Sequence, residues 1–560
     1  MQHQLQGSRS LTQRSGILCA MRLGVLVVLA ALSLNAQIDQ RRLDQAASEP
    51  HNWLTYNGTY YSQHHSGLEG IDRSNVADLE LQWVYQAAST DKFQTTPLVV
   101  DGLMYLTEPP NKLVALDPTT GREFWVYEHE LPTRIYPCCG RVNRGAAIWG
   151  DTLYWGTLDA KLLAVDARSG SKVWETTVVE DYERGYALTV APLVVDGKVI
   201  VGTAGGEFGI RGYLSAYDAA TGEEEWRFYT IPGPGEPGHE TWENDAWKTG
   251  GGSIWLTGSY DSELNLTYWG VGNPAPDWNP DVRPGDNLYT DSVIALDVDS
   301  GKLAWHFQFT PHDEWDWDAV QIPVLVDMEW EGEMRKLMLW GNRNGFYYVL
   351  DRETGEFLLG KPFVKQTWAA GLDEDGRPVK IPGRGPSREG TKTWPGVQGA
   401  TNWYAPSFSP VTKLFYLPVW EGYYSVYFKW DQPYVPGTRY LGGSPRSPVS
   451  STTRRRFMNY TEEDGYGAVR ALDPLTGEMA WEFSMTDVTD SGLLTTASNV
   501  LFSGSREGHF YALDATNGKM LWQRYLGGQI AASPITYESG GRQYVTVAAG
   551  HAVFTFALSK

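Results

Sequence analysis

The chain has 560 residues and a formal net charge of −21, from 46 basic and 67 acidic side chains, which argues against DNA, RNA or an anionic lipid surface as its partner. Its 60 Gly, 31 Pro, 24 Trp, 31 Tyr and 18 Phe exclude a helical bundle or coiled coil and point to many short strands joined by tight turns. With 42% hydrophobic and 20% charged residues it buries a large core and is not a disordered acidic polymer.

In chain order, residues 1–36 read as a secretory signal. Arg9, Arg14 and Arg22 precede the apolar run Leu23 to Leu34, which ends at Ser33-Leu34-Asn35-Ala36, and no acid occurs up to that point. The run is 12 residues, too short to span a bilayer, and no later segment is long and apolar enough. An uncleaved anchor, or a start at Met21, is the alternative. The mature chain is therefore predicted to be residues 37–560, exported, acidic and without a transmembrane helix. Cys19 falls in the signal, which leaves only Cys138 and Cys139, adjacent in Pro137-Cys138-Cys139-Gly140. There is no CxxC pair for zinc and no CxxCH for an attached haem. In an oxidising compartment two neighbouring thiols can close a disulfide ring, or remain reduced as small buried side chains.

Beyond Leu79-Glu80-Leu81-Gln82-Trp83, an unpartnered strand with its own Trp, the chain repeats itself. The pattern apolar-x-Asp-x-x-(Thr/Ser/Asn)-Gly-x-x-x-Trp has Asp and Trp at 117/125, 166/174, 218/226, 297/305, 473/481 and 514/522. A seventh copy at Asp351 keeps Gly355 but lacks the Trp. Each copy describes a hairpin, in which the Asp carboxylate caps backbone N–H groups and the Gly supplies a left-handed position. A second alternating hairpin, such as Thr96 to Tyr105 with Asp101-Gly102 at its turn, lies upstream of most copies. Four strands per unit is the content of a propeller blade. Seven Asp-Gly units give seven blades, and joining Leu79–Trp83 to the C-terminal strands from Ile530 to Leu558 closes an eighth. The prediction is an all-β, eight-bladed β-propeller with tryptophan-docking repeats. Spacings of 79 and 122 residues between successive Asp positions locate insertions in 230–290 and 360–470. The aromatics of the second, Trp394, Trp403, Trp420, Tyr423, Tyr424, Tyr427, Phe428 and Trp430, suggest a partly apolar cap over a substrate entrance.

The repeat, together with Asn143-Arg144-Gly145, Gly205-Gly206-Glu207-Phe208-Gly209, Trp269-Gly270-Val271-Gly272-Asn273-Pro274, Pro311-His312-Asp313-Glu314-Trp315-Asp316, Asn342-Arg343-Asn344-Gly345 and the adjacent Cys pair, resembles the pyrroloquinoline quinone (PQQ)-dependent alcohol dehydrogenases from Trp53 to Leu558. Oxidising an alcohol by hydride transfer needs a proton acceptor, a hydride acceptor and a Lewis acid. Side chains cannot supply the second, and the resemblance implies PQQ. It implies one metal ion, calcium or a lanthanide, held by Glu207 and Asn273 with Asp316 and Asp318 nearby; a hard cation calls for such oxygen ligands. The extra charge of Asp318 favours a trivalent ion by Coulomb attraction, although relatives assigned to calcium also carry Asp there.

By the same resemblance Asp316 is the general base, with Asp313 and Glu314 as competing assignments, and Arg343 stabilises negative charge on the quinone. Arg144 is similar to the arginine that binds a PQQ carboxylate, and Trp255 to the tryptophan stacked beneath the ring, with a Cys138–Cys139 disulfide above it. Glu108, Thr157, Ser253 and Asn402 are further candidate cofactor contacts. Two departures stand out: Ala204 replaces a Ser found in several members, and Asp490-Ser491-Gly492 replaces a Trp-Gly step of methanol dehydrogenases. The resemblance also implies a periplasmic enzyme that passes electrons to a soluble cytochrome c-type acceptor. The alternative is a propeller scaffold for protein partners that has lost PQQ, which would have no need of Glu207, Asn273, Asp316 and Arg343. Arg454-Arg455-Arg456 reads as a solvated loop.

Overall fold

The computed structural model describes residues 37–447 and 465–559; the predicted signal and Arg454-Arg455-Arg456 lie outside them. Eight sheets, each with four antiparallel strands, follow one another along the chain, and the seventh gains a fifth strand, His65–Ser66, parallel to Leu494–Thr496. Blade 1 runs from Leu98–Val100 to Glu123–Glu128, blade 2 from Ala147–Trp149 to Lys172–Thr177, blade 3 from Leu193–Val195 to Glu224–Tyr229 and blade 4 from Ser259–Asp261 to Leu303–Gln308. Blade 5 runs from Val324–Trp330 to Phe357–Pro362, blade 6 from Ser407–Ser409 to Met479–Met485 and blade 7 from Leu494–Thr496 to Met520–Tyr525. In blades 1 to 4 and 7 the first strand is more deeply buried than the last, so the chain enters each of these blades at the axis and leaves at the rim.

Blade 8 takes three strands from Ile535–Ser539 to Ala552–Leu558 and its outermost one from Leu79–Gln86, which pairs antiparallel with Ala552–Leu558. This is the predicted closure, and it removes the open edges a linear array of sheets would expose. No helix among the described residues is long and apolar enough to cross a membrane.

The repeat locks blade to blade. In each Asp-Gly turn the carboxylate accepts backbone N–H groups, as Asp117 does from Thr119 at 2.8 Å. The Gly is left-handed and faces the Trp of the preceding blade: a Cβ at Gly121 (φ +70°) would lie 2.6 Å from Trp83 Cε3, and one at Gly170 2.6 Å from Trp125 Cε3. Each docked indole N–H donates to the carbonyl one residue after the Asp, from Trp83 to Pro118, Trp125 to Ala167, Trp174 to Ala219, Trp226 to Val298, Trp305 to Arg352 and Trp481 to Ala515. At four of these carbonyls a Tyr hydroxyl from an inner strand donates as well: Tyr537 to Pro118, Tyr154 to Ala219, Tyr268 to Arg352 and Tyr416 to Ala515. Where the seventh copy lacks its Trp, the Tyr347 hydroxyl still donates to the matching carbonyl, that of Pro474, at 2.9 Å.

Residues 37–71, which carry no repeat, cross the centre of the ring. Trp53 pairs with Val99 of blade 1 and Ile38 with Gly150 of blade 2; the Tyr60 hydroxyl donates to Val194 of blade 3 at 2.6 Å. Backbone bonds then join Tyr60 to Tyr260, Tyr61 to Leu325, Gln63 to Phe408 and His64 to Thr495, in blades 4 to 7, while Ile71 donates to Gln543 of blade 8. Innermost strands that would leave edges around an open channel are thus satisfied by the chain's own N-terminal segment.

Two small extra sheets lie between Ala369 and Arg446, within the longer spacing of the repeat. Their aromatics are mostly not a cap: Trp420, Tyr423 and Tyr427 are at most 1% exposed and fill the interior. Of the eight, only Trp403 lines the central cavity described next.

Candidate active site

The segment that leads into the innermost strand of every blade contributes to one cavity of about 690 Å³. In blade order these segments bring Gln94, Arg144, Thr189, Trp255, Asp316, Tyr404, Asp490 and Gln529 to its wall. Cys138, Cys139, Glu207, Asp318, Arg343 and Asn402 line it too, so nine of the predicted site residues meet there, far apart as they are in sequence.

One side is acidic. Asp313 is fully buried and accepts the backbone N–H groups of Trp315, Asp316 and Trp317, which folds the chain into a tight turn. Glu314 faces away, 3.2 Å from Lys380 Nζ. Of the four acids at 313, 314, 316 and 318, only Asp316 and Asp318 therefore reach the cavity. Asp316 adopts a left-handed backbone (φ 65°), costly for a residue with a Cβ, and its carbonyl is pinned at 2.5 Å by Arg343 Nη2. Arg343 Nη1 donates to Asp318 Oδ2, and Asp318 Oδ1 accepts the Asn273 N–H at 2.9 Å. Arg343 Nε has no hydrogen-bond partner.

Burial, reinforced by the Asp318 charge, raises Glu207 to about 7. Burial, then Asp277, pushes Asp316 well above the usual carboxylate range. A group of acids held this far from ionisation is waiting for positive charge. Cys138 and Cys139 meet sulfur to sulfur beside it, and Cys139 Sγ lies 3.6 Å from Glu207 Oε1.

The Arg144 wall has the opposite need. Arg144 is 5% exposed, yet its guanidinium donates only to Thr189 and the Trp255 carbonyl, with Nε unpartnered. It lies 4.8 Å above the Trp255 ring centroid and 5.3 Å from that of Trp403. Burial lowers it to about 10, because no carboxylate compensates the lost water. Elsewhere on the wall, Asp490 receives Arg506 at 2.9 Å, Tyr404 at 2.8 Å and Lys92 at 3.2 Å. Burial would raise Asp490, but Arg506 and Lys92 outweigh it and hold the acid down at about 2. Both departures noted in the sequence, Ala204 and Asp490, are wall residues.

Four predicted residues are not on the wall. Asn273 and Ser253 stand just behind it: a Cβ at Gly206 would sit 3.3 Å from Asn273 Oδ1 and 3.2 Å from Ser253 Oγ, so glycine there keeps Glu207 close to both. Glu108 and Thr157 are corrections to the expectation of cofactor contact. Glu108 ends a strand and accepts the Tyr85 hydroxyl at 3.0 Å, while Thr157 donates to Asp159 at 2.6 Å within a turn. Asn402 reaches the wall with its amide already donating to Gln398. Sequence reasoning missed Lys92, Gln94, Thr189, Tyr404 and Gln529 as wall residues, and Asp277 behind it. The available signal was position: Gln94, Thr189 and Gln529 all precede a predicted innermost strand.

The profile of the PQQ glucose/ethanol/alcohol dehydrogenase β-propeller domain matches residues 53–366, and that of the outer membrane protein assembly factor BamB matches 465–557. The quinohemoprotein alcohol dehydrogenase ADH IIB of Pseudomonas putida is 40% identical over 93% of this chain and 76% of its own length. The quinoprotein alcohol dehydrogenase PedH of P. putida is 37% identical over 95% and 92%. Among solved structures, quinohemoprotein alcohol dehydrogenase ADHIIG from P. putida HK5 superposes with a TM-score of 0.87 at 35% identity, covering 94% of this chain and 83% of that one. A europium-containing methanol dehydrogenase gives 0.85 at 32% identity, covering 92% and 100%. With its blades, its central cavity and these likenesses in agreement, the chain belongs to the PQQ-dependent alcohol dehydrogenase family.

Proposed function

We propose that the chain is a periplasmic dehydrogenase that oxidises an alcohol with PQQ and one calcium or lanthanide ion, and passes the electrons to a separate soluble cytochrome c-type protein. The observation that carries the reading is the pairing, across one cavity, of buried uncompensated acids with a buried uncompensated arginine. A cation satisfies the first and an anionic planar quinone the second, so the donor set fits both groups.

Arg144 would hold a cofactor carboxylate, Trp255 offers a flat apolar face, and a Cys138–Cys139 disulfide forms part of the same wall. Glu207, Asn273, Asp316 and Asp318 would hold the cation with oxygen donors. When bound, PQQ supplies the electrophilic carbon that accepts hydride. The chain's own part is proton chemistry and positioning. Asp316 takes the hydroxyl proton of the alcohol at its carboxylate, and Asp313 and Arg343 fix the backbone on which that carboxylate rides. The free Nε–H of Arg343 is a donor for negative charge that develops in the cavity.

The test is dye reduction by a panel of primary, aromatic and aldehyde substrates after adding PQQ with calcium or a light lanthanide. Asp316→Asn keeps PQQ bound, read from its absorbance, and loses most turnover. Full activity in that variant would move the role to another carboxylate. Absence of quinone absorbance and of turnover under every condition would defeat the enzyme reading and leave the scaffold.

A further inference from the structure

The stretch that leads into blade 1 alternates its side chains along the cavity. Thr90, Lys92 and Gln94 line it, while Phe93 is 1% exposed and packs in the core. Asp91 fastens the stretch, its carboxylate 2.9 Å from Arg141 beside the cysteines and its carbonyl 3.2 Å from the His551 ring.

Asp490, buried on the adjoining wall, has both oxygens occupied. Oδ1 accepts from Arg506 at 2.9 Å and from the Tyr404 hydroxyl at 2.8 Å; Oδ2 accepts from Lys92 Nζ at 3.2 Å and from the Gln529 amide. Arg506 and Tyr404 are at most 2% exposed, so this carboxylate is fixed in place and has no capacity left for a ligand. Lys92 does have capacity. An ammonium carries three donors, and among the described residues its hydrogen bonding is to Asp490 alone. Gln94 is unspent as well: it is 6% exposed, and its Oε1 is buried with no partner. A buried amide in that state costs stability until a ligand meets it.

Place on the ring indicates the ligand. In a closed ring of eight, the segments of blades 7, 8 and 1 stand opposite those of blades 3, 4 and 5. Glu207, Asp316, Asp318 and Arg343 belong to the second group, where the proposed cation and base meet the reacting end of the alcohol. Asp490, Gln529, Lys92 and Gln94 belong to the first and face the other end of a planar molecule that spans the cavity. PQQ is a tricarboxylate with a pyrrole N–H beside one of its carboxylates, which is a donor next to an anion. Lys92 with Gln94 Oε1 is an acceptor next to a cation.

We propose that Lys92 is a second cationic anchor of the cavity, which takes a cofactor carboxylate other than the one assigned to Arg144, and that Asp490 is the positioning residue that holds its ammonium there. This rests on the PQQ reading above, and it gives the departure at Asp490 a chemical role.

The full chain with calcium chloride is titrated with PQQ and followed by the absorbance of the bound cofactor. Lys92→Met binds PQQ about tenfold to a hundredfold more weakly, the worth of a charge-assisted hydrogen bond, and Lys92→Arg recovers most of the loss. Added potassium chloride weakens binding more steeply in the native chain than in Lys92→Met. Asp490→Asn weakens PQQ binding in the native background and adds little in the Lys92→Met background, because it acts through the same ammonium. If Asp490→Asn does not fold, the two Lys92 variants decide, since that side chain is partly exposed and bonded at one point. Unchanged PQQ affinity in Lys92→Met, with Arg144→Met weakened, overturns the inference and leaves the PQQ reading standing. Unchanged PQQ affinity with a raised KM for glycolate but not for ethanol also overturns it, and gives the ammonium to a substrate carboxylate. Equal losses from Asp490→Asn in both backgrounds remove Asp490 as the positioning residue. A native chain that binds no PQQ defeats the reading above and this inference with it.

Discussion

Replacing Trp83 tests the ring closure and, through it, the cavity. Trp83 is 7% exposed, seated on Gly121, with its indole N–H 3.0 Å from the Pro118 carbonyl. Truncation to alanine removes a buried indole, a change that costs about 3–5 kcal/mol. Trp83→Phe keeps an aromatic face and loses the hydrogen bond. Pro118 still receives the Tyr537 hydroxyl at 2.7 Å, so no carbonyl is orphaned and the added cost is about 1 kcal/mol. The readout is hydrogen exchange in two places: Ala552–Leu558, on which the closing strand pairs, and residues 87–97, which follow it and carry Lys92 and Gln94 to the cavity. For Trp83→Ala, protection there falls by roughly a hundredfold or more, at 1.4 kcal/mol per tenfold, and PQQ affinity falls with it. Trp83→Phe shows about tenfold or less. Gly121→Ala behaves like Trp83→Ala, because its methyl would overlap the ring. Unaltered exchange in Trp83→Ala, or equal loosening of all eight blades, would refute the idea that this one contact guards the closure.

Other outcomes are specific to single groups. Arg144→Met lowers PQQ affinity by about tenfold to a hundredfold in an absorbance titration, the worth of a charge-assisted hydrogen bond, and Arg144→Lys recovers only part of it. Glu207→Gln abolishes stoichiometric calcium and terbium binding; because Glu207 is raised to about 7 in the ion-free chain, cation affinity in the native protein climbs as pH rises through that value and weakens below it. His64 is held down at about 4 by burial, with the Pro534 carbonyl opposing, and His65 likewise at about 4 by burial. The unfolded chain takes up these protons first, so the stability of the central segment is intact above about pH 6.5 and is lost as pH falls toward 4, by up to about 3 kcal/mol for each ring. His64→Gln flattens that part of the stability profile; an unchanged acid midpoint would remove His64 as a cause.

What could be read from the sequence is what is decided locally. An Asp-Gly turn and a Trp eight residues after the Asp carry their geometry with them, which is why five docked indoles, and with Trp83 the partner for Leu79–Gln86, were legible. The acidic wall was legible only through family resemblance, since nothing local separates Asp316 from Glu314; the difference is made by Lys380, 66 residues away. Glu108 was misread because a carboxylate at the end of a strand looks the same whether it faces the axis or the neighbouring Tyr85. Asp277 looks like a solvated turn residue, and its burial is set by Arg283 and by packing in three dimensions. The central segment was invisible for another reason: it binds mostly backbone groups, which have no side-chain signature.

That segment also constrains the order of assembly. Residues 37–71 bond to all eight blades, and Leu79–Gln86 pairs with residues more than 460 positions later, so the part of the chain made first is among the last to find its partners. Blades 1 to 7 can each form as they emerge, since their strands are local in sequence. Leu79–Gln86 must meanwhile stay unpaired until Ala552–Leu558 arrives. A truncated product lacking blade 8 would keep most of its hairpins and the central segment's bonds to blades 1 to 7, and still present an open ring with a half-built cavity, which makes the final strand the checkpoint for the whole molecule.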